Sequence, residues 1–360
     1  DIWVPADCDF VLEGYVDTSE DLAIEGAFGD HTGFYSLTDL YPRFHIEVIT
    51  SRRDAVYPAT IVGVPPMEDA YIAKATERIF LAPIRLVIQS EVRDLYMPME
   101  GTAHNLALVS IAKRYAGQAA KVSQGLWGAG QMMFNKYMLI ANETSDIRSK
   151  EQMFALLRRM QPARDMIFSE GILDVLDHTT PTTGYGSKLA IDLTAVDASS
   201  PILEVSLPET LQYVGGVASV DTSLVDELGM LLLFAEAEWR ERVDVEVFLA
   251  QNRIANLRYV ALFDGGAADT MTHSDLLWLA AANVEPRRDI RVREDVVILD
   301  ARSKRPGYGD NPRRFPNVVT SLPETIALVD SRWEEYGLGD RLPSPSSRYS
   351  ALKLSDKADW

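Results

Sequence analysis

Apolar and polar residues alternate over three short segments near the start of the chain. These segments are residues 10–16, 44–50 and 59–64, and glycine, proline and aspartate separate them. Short runs of this kind, bounded by turn-forming residues, are typical of strands in an antiparallel sheet. The pattern predicts a barrel or a sandwich. Because a strand already begins at residue 10, we expect the chain to enter this fold midway, as part of a longer polypeptide.

From residue 68 the spacing of apolar residues changes from a period of two to a helical period. Residues 68–80 predict an amphipathic helix, which follows Pro65 and Pro66 and carries Glu68 and Asp69 in its first turn. One side of this helix is predicted to be apolar: Tyr71, Ile72, Ala75, Ile79 and Leu81. We expect this helix to connect two domains.

Beyond the connecting helix, strand and helix patterns alternate. The sequence predicts strands over residues 106–111 and 137–141, and helices over residues 118–133 and 150–160. This order is typical of a layered α/β domain.

The chain also repeats itself, because residues 136–166 resemble residues 258–290 at an offset of 122 to 124 residues. The matched pairs are Tyr137/Tyr259, Phe154/Trp278, Pro162/Pro286, Arg164/Arg288, Asp165/Asp289, Leu176-Asp177/Leu299-Asp300, and residues 184–186 with 307–309. Chance similarity between two α/β units is the alternative, but the nearly constant offset favours a duplication. We predict an α/β (α+β) chain with a β domain (1–65), a connecting helix (66–95), an α/β domain (96–200) and a second, duplicated α/β unit with a tail (201–360).

Composition excludes several classes of function. The chain of 360 residues has 47% hydrophobic residues and no apolar run long enough to cross a bilayer. Its net charge of −18 argues against binding to nucleic acid and against an electrostatic attachment to anionic lipid. A single cysteine, Cys8, suits a reducing compartment, so we expect a cytoplasmic protein.

The candidate chemistry lies in the segment EGAFGDHTGFYS, residues 25–36. Glu25 and Asp30 stand five positions apart among three glycines and two phenylalanines, and His31 follows Asp30 directly. Carboxyl groups held among apolar walls can have raised pKa values and can donate or accept protons. The alternative is a plain turn, in which Asp30 caps the backbone and Glu25 is solvated.

Other common site motifs are absent from the sequence. No G-x-G-x-x-G follows a strand, and there is no Walker loop, no H-E-x-x-H and no G-x-S-x-G. The five histidines do not fall at metal-ligand spacing. We therefore predict no cofactor-binding and no metal-binding residues within this chain.

Seven sequence blocks, in order, resemble the UbiD family of prenylated-flavin-dependent decarboxylases. They are VLEGYV (11–16), EGAFGDHTGFYS (25–36), SRRDAVYPATIVG (51–63), EDAYIAKATERIF (68–80), PARD (162–165), LDHTTP (176–181) and GSKLAIDLTA (186–195). In the family's second block, prolines stand where this chain has Ile24 and Ala27, and tyrosine where it has Phe34. Both acids are retained, so these changes affect rigidity and not chemistry.

The resemblance implies a fold and a mechanism. Residues 1–65 would be the end of a split antiparallel β-barrel, and Asp30 would be the proton donor, with Glu25 as the second acid of its network. His31 and a segment near Gly171 and Leu173 would line the substrate pocket. The cofactors would be prenylated FMN, Mn2+ and K+, and a flavin prenyltransferase would supply the flavin. Their ligands, and an arginine that pairs with the acids, lie upstream of this sequence in the family.

The resemblance further implies an aromatic or α,β-unsaturated acid as substrate, of the quinone-precursor type, with the long C-terminal form typical of menaquinone pathways. A polyprenylated substrate would place the protein at the membrane periphery. The alternative is a non-catalytic assembly module. We expect a homo-oligomer, at least a dimer, and the apolar run 228–234 with a helix over 235–250 is the candidate interface; the alternative is that this run fills a core.

Overall fold

The computed structural model describes residues 2–214, 216–236, 243–355 and 357–358. Residues 1–65 contain four strands, which form two separate two-stranded antiparallel sheets, β1 with β4 and β2 with β3. The strands are β1 (Phe10–Tyr15), β2 (Ala23–Glu25), β3 (Asp39–Tyr41) and β4 (His45–Ser51). The described residues form no closed barrel. The strand predicted over residues 59–64 is wrong, because this segment pairs with no other strand and is irregular.

A long helix follows, α1 (Glu68–Pro83), and a π-helical turn over Ile84–Ile88 extends it. Its predicted apolar side faces solvent: Tyr71 is 64% and Ile79 is 65% exposed. The buried side instead includes Glu77, whose carboxylate accepts hydrogen bonds from the Met97 backbone N–H (2.7 Å) and from Lys74 (2.9 Å). The apolar spacing predicted the helix correctly but assigned its buried face wrongly.

The first α/β unit is a five-stranded sheet in the order β5-β6-β7-β9-β8, with antiparallel edge strands. Its strands are β5 (Val92–Tyr96), β6 (Leu106–Ile111), β7 (Tyr137–Asn142), β8 (Met166–Ile172) and β9 (Tyr185–Asp192), and its helices are α2 (Gln118–Trp127), α3 (Lys150–Leu157) and α4 (Pro162–Asp165). Helix α2 ends earlier than predicted, at Gly128, and a 3-10 helix follows over Gly130–Phe134.

The second α/β unit has the same strand order, β10-β11-β12-β14-β13, and the same sequence of antiparallel and parallel pairs. Its strands are β10 (Val217–Asp221), β11 (Met230–Ala235), β12 (Tyr259–Asp264), β13 (Ile290–Arg293) and β14 (Val296–Asp300). Its helices are α5 (Val225–Leu228), α6 (Val245–Asn252), α7 (His273–Asn283) and α8 (Pro286–Asp289), and the tail adds α9 (Pro323–Ser331) and α10 (Ser346–Tyr349). The predicted α/β fold with a duplicated unit is confirmed.

The duplication extends to local hydrogen bonds, but not to every matched pair. Pro162 and Pro286 each begin a four-residue helix, and the closing aspartate of each accepts from the backbone N–H four residues before it, at 2.7 Å in both units. The matched pairs after residue 165 are not structurally equivalent. Asp300 pairs with Leu262, as Asp192 pairs with Ile140, so Asp300 is equivalent to Asp192 and not to Asp177. Asp177 belongs to the long β8–β9 connection, where the second unit has a two-residue hairpin.

The two units pack together through reciprocal contacts. The Tyr137 hydroxyl donates to the Val284 carbonyl of the second unit, and the equivalent Tyr259 hydroxyl donates to the Leu157 carbonyl of the first (2.7 Å). Both tyrosines belong to one apolar cluster, which spans the interface. Burial raises the pKa of both phenols, so each stays a neutral donor.

The apolar run 228–234 begins at the end of α5 and continues from Met230 as the interior strand β11, in which Leu231, Leu232 and Leu233 are buried. It therefore fills the core of the second unit and is not available as an interface. Self-association stays a prediction, which this run no longer supports. Of the predicted helix 235–250, residue 235 ends a strand, residues 237–242 lie outside the described residues, and α6 begins at Val245. None of the described helices is long and apolar enough to span a bilayer.

Candidate active site

The loop that carries Asp30 is a tight turn closed by its own backbone. Asp30 N–H donates to the Phe34 carbonyl (3.1 Å), and Gly33 N–H donates to the Asp30 carbonyl (3.0 Å). Gly33 has a φ of +88°, a conformation that side chains other than glycine rarely adopt. The glycine-rich sequence thus folds back on itself and places the Asp30 side chain inside the protein, with 3% of the residue exposed.

The Asp30 carboxylate is held by its two following residues. Its Oδ1 accepts from the His31 backbone N–H (2.6 Å) and lies 2.8 Å from the His31 ring Nδ1. Its Oδ2 accepts from the Thr32 hydroxyl (3.0 Å). These contacts fix the orientation of a buried carboxyl group, which solvent alone would not do.

His31 lies between two carboxylates. Burial opposes its charged form, but the hydrogen bond and the charge of Asp30 outweigh burial and hold the pKa of His31 above its ordinary value. Its Nε2, which has no hydrogen-bond partner, lies 4.0 Å from Oδ2 of Asp174. His31 can therefore carry a proton between Asp30 and the neighbourhood of Asp174.

A second histidine, His104, faces the same carboxylate. Its Nε2 lies 3.5 Å from Oδ2 of Asp174, and its ring centroid lies 5.1 Å from that of His31. Burial lowers the pKa of His104 to about 3, so this imidazole is neutral at neutral pH. His104 and Asp174 are far from His31 in the sequence, and sequence reasoning missed both because no spacing rule connects them.

The ligand atoms of His31, His104 and Asp174 all lie within 4.8 Å of one another, close enough for one metal ion to reach all three. That this chain carries no metal ligand stays a prediction. A metal ion bound by His31, His104 and Asp174 would show that it is wrong. No lysine or arginine of the described residues forms an ion pair with Asp30. The site therefore suits proton transfer.

The remaining predicted site residues are not all brought to Asp30. Glu25 ends β2, is exposed, and its carboxylate has no hydrogen bond or ion pair with any described residue. Gly171 lies on β8 against the Lys188 side chain. Leu173 is 1% exposed and directly precedes Asp174. The predicted pocket segment thus lies beside the site, although Leu173 itself is a core residue.

The second α/β unit anchors the Asp30 loop. The indole N–H of Trp278, on α7, donates to the Thr32 carbonyl (2.7 Å), and its ring stacks on Phe34 at 5.5 Å between centroids. Val319 N–H donates to the Gly33 carbonyl (2.9 Å). A Cβ atom on Gly33 would lie 2.7 Å from the Trp278 ring, so only glycine fits there. Sequence reasoning matched Trp278 to Phe154 but gave it no role in the site.

Near the loop, Asp177 of the LDHTTP segment forms a buried ion pair with Lys136, which directly precedes β7. Lys136 Nζ is 2.7 Å from Oδ2 of Asp177, and both side chains are almost fully buried. Burial would raise the pKa of Asp177, but the charge of Lys136 dominates and lowers it to about 2. The neighbouring His178 ring contacts Phe34 at 4.7 Å, and burial lowers its pKa to about 4. This segment supports the loop with a fixed charge pair and a neutral ring.

Two family profiles match consecutive parts of the chain. The 3-octaprenyl-4-hydroxybenzoate carboxy-lyase Rift-related domain matches residues 1–65, and the C-terminal domain of the same carboxy-lyase matches residues 70–193. An uncharacterized protein of Archaeoglobus fulgidus is 45% identical over 196 residues, which are 54% of this chain and 40% of that protein. One of Helicobacter pylori is 33% identical over 316 residues, which are 84% of this chain and 49% of that protein.

The chain thus spans about half the length, or less, of these curated relatives. Among solved structures, vanillic acid decarboxylase of Sedimentibacter hydroxybenzoicus is 28% identical, with a TM-score of 0.48 over 55% of this chain and 42% of that one. The UbiD-class enzyme HmfF of Pelotomaculum thermopropionicum, in complex with FMN, is 24% identical, with a TM-score of 0.46 over 54% of this chain and 42% of that one. With both of its domain profiles matched in order, the chain belongs to the UbiD (3-octaprenyl-4-hydroxybenzoate carboxy-lyase) family.

Proposed function

We propose that this chain belongs to a carboxy-lyase that removes carbon dioxide from an aromatic or α,β-unsaturated acid of the quinone-precursor type, with Asp30 as the proton donor. The observation that carries the proposal is the burial of Asp30, at 3% exposure, with both carboxylate oxygens held in place. When carbon dioxide leaves, the remaining carbon needs a proton, and a positioned carboxylic acid can deliver it.

A proton donor must be recharged after each turnover, and the contacts of Asp30 support a route for this. His31 Nδ1 lies 2.8 Å from Asp30 Oδ1, and Asp174, with 19% of its side chain exposed, lies next to the opposite ring nitrogen. A proton taken up near Asp174 can pass through the imidazole to Asp30. Thr32 and His31 keep the carboxyl group in one orientation meanwhile.

The cofactor assignment rests on the family resemblance. Prenylated FMN, with Mn2+ and K+, would supply the electrophilic ring that activates the acid, and a flavin prenyltransferase would provide it. We assign no residue of this chain to the flavin, and His31, His104 and Asp174 are the described residues whose ligand atoms lie close enough together to reach one metal ion. The role of Glu25 as the second acid also rests on the resemblance, since the partner of its exposed carboxylate would have to come from outside the described residues.

The single cysteine supports a cytoplasmic location.

A second candidate is a non-catalytic assembly module. The exposed apolar side of α1, with Tyr71 and Ile79, favours it, because such a surface is typical of a protein contact. In that case removal of the Asp30 carboxyl group would leave the activity of the longer protein unchanged.

The experiment compares Asp30→Asn with wild type in the full-length protein, with turnover of a hydroxylated aromatic acid as the readout. We expect turnover to fall at least about a hundredfold, which is the lower end for loss of one general acid. Asp54→Asn is the control, because 79% of the Asp54 side chain is exposed. Near-normal turnover of Asp30→Asn, in a protein that folds and retains its flavin, would remove Asp30 from the mechanism.

A further inference from the structure

A large cavity lies away from Asp30, and none of the residues that contact Asp30 line it. Its volume is about 750 Å³, and it opens between the end of α3, the segment 201–203, the end of α6 with the loop that follows, and the β13–β14 hairpin. We refer to it as the arginine cleft, because Arg158, Arg159, Arg253, Arg258 and Arg293 line it.

Most of this positive charge has no carboxylate partner. Arg293 is paired with Glu246 (2.7 Å), but Arg158 donates to the backbone carbonyls of Leu203 and Val225, and Arg159 to that of Ser200. Carbonyl groups satisfy the N–H donors and leave the formal charge in place. Among the described residues, the guanidinium groups of Arg253 and Arg258 make no hydrogen bond and no ion pair, and Arg258 is hydrogen-bonded only through its backbone, with Gly229 and Val297. Free cations are thus concentrated in a chain whose net charge is −18.

These cations are close enough to repel one another. Burial lowers the pKa of Arg158, the charges of Arg258 and Arg159 lower it further, and Asp226 opposes them. Glu246, Glu294 and Asp295 also line the cleft, so five arginines face three carboxylates and the lining keeps a net charge of +2. An excess of like charge around a cavity destabilises the fold unless a counter-charge enters it. The arrangement therefore favours an anion as the occupant.

The backbone at the mouth of the cleft is also unusual. Arg253, Asn256, Glu294 and Asp295 have φ between +47° and +67°, and they are four of the six non-glycine residues with positive φ in the described part of the chain. The two-residue hairpin at 294–295 would ordinarily carry Asn-Gly. Residues in such conformations cost free energy and cluster at ligand sites.

The wall of the cleft is apolar, with Leu249, Ile254 and Leu257 among its residues. A guanidinium group binds a phosphate or a carboxylate through two parallel hydrogen bonds, and an apolar wall takes up a hydrocarbon or aromatic body. We propose that the arginine cleft binds a small organic anion, whose phosphate or carboxylate group is held by Arg253 and Arg258 and whose apolar body lies against Leu249 and Leu257. The site is independent of the proposed decarboxylation.

Isothermal titration of the 360-residue chain tests this proposal, with phenyl phosphate and benzoate as anionic probes, phenol as the neutral analogue and inorganic phosphate as the anion without an apolar body. We expect saturable binding of at least one aromatic anion at one site per chain, and binding of phenol and of inorganic phosphate at least about tenfold weaker, since each lacks one of the two recognised parts. Comparing phenyl phosphate with benzoate distinguishes the two anionic groups.

The double variant Arg253→Gln/Arg258→Gln should weaken binding of the aromatic anion at least about tenfold. The control is Arg332→Gln/Arg341→Gln, which removes the same charge from two exposed arginines outside the cleft. Equal affinity in the two double variants, or no saturable binding of either aromatic anion to wild type, would overturn the proposal. Unchanged circular dichroism of both variants ensures that the comparison concerns the cleft and not folding.

Discussion

Replacement of Gly33 by alanine tests how the second α/β unit holds the Asp30 loop. The added Cβ would lie 2.7 Å from two atoms of the Trp278 ring, well inside contact distance, and the ring cannot retreat because Trp278 is only 1% exposed. The φ of +88° adds a second cost for any L side chain. We expect the backbone conformation to cost about 1–2 kcal/mol and the steric overlap with Trp278 about 1–3 kcal/mol. Gly33→Ala should therefore destabilise the docked loop by about 2–5 kcal/mol.

Gly117→Ala separates these two contributions. Gly117 has a similar φ of +78°, but a Cβ there would meet nothing within 4 Å, so this variant carries only the backbone cost. Denaturant unfolding measures the loss in free energy of unfolding for each variant. Amide hydrogen exchange then shows which backbone amides lose protection. We expect Gly33→Ala to lose more stability than Gly117→Ala and to speed exchange at the amides of Asp30 and Gly33, which are hydrogen-bonded within the loop. Equal losses in the two variants would refute the argument that Trp278 anchors the loop.

The other predictions concern the buried pairs and the cofactor. Lys136→Met leaves Asp177 buried without its cation and should cost about 3–5 kcal/mol in denaturant unfolding. In wild type the pKa of Asp177 is lowered to about 2. The stabilisation from this ion pair is therefore fully present above pH 3.8 and disappears as the pH falls towards 2. The stability of Lys136→Met should not show this decrease over the same pH range. Tyr137→Phe leaves the Val284 carbonyl without its donor and should destabilise by about 1–3 kcal/mol in the same assay, whereas Tyr259→Phe should cost less, because the Leu157 carbonyl keeps the Met160 backbone N–H (3.2 Å). The 360-residue chain, purified from cells that make prenylated FMN, should carry no stoichiometric flavin, and a coloured one-to-one complex would show that its residues hold the cofactor after all.

Where local pattern decided the structure, the sequence was sufficient. The strand over residues 106–111 was predicted to the residue, because its apolar run is buried on both faces of a sheet. The repeat predicted the second sheet, since a duplicated unit keeps its strand order. The β8–β9 connection broke the match, because an insertion shifts the alignment without disturbing the strands on either side.

Where partners decided the structure, the sequence was not sufficient. Residues 59–64 have strand-like spacing but pair with nothing, and Glu77 is buried because the Met97 backbone N–H lies beside it. At the site, the glycine-rich loop indicated Asp30 and His31 directly. The contributions of His104, Asp174 and Trp278 depend on contacts between distant parts of the chain, and no spacing in the sequence reports such contacts.

The central claim is that Asp30 delivers the proton that replaces carbon dioxide, and hydrogen exchange of the product tests it most directly. In deuterated water, the full-length enzyme should exchange the hydrogen at the carbon that carried the carboxyl group, because this exchange uses the donor without the loss of carbon dioxide. We expect Asp30→Asn to slow this exchange at least about a hundredfold and Asp54→Asn to leave it unchanged. Exchange at the wild-type rate in a folded, flavin-loaded Asp30→Asn protein would contradict the account.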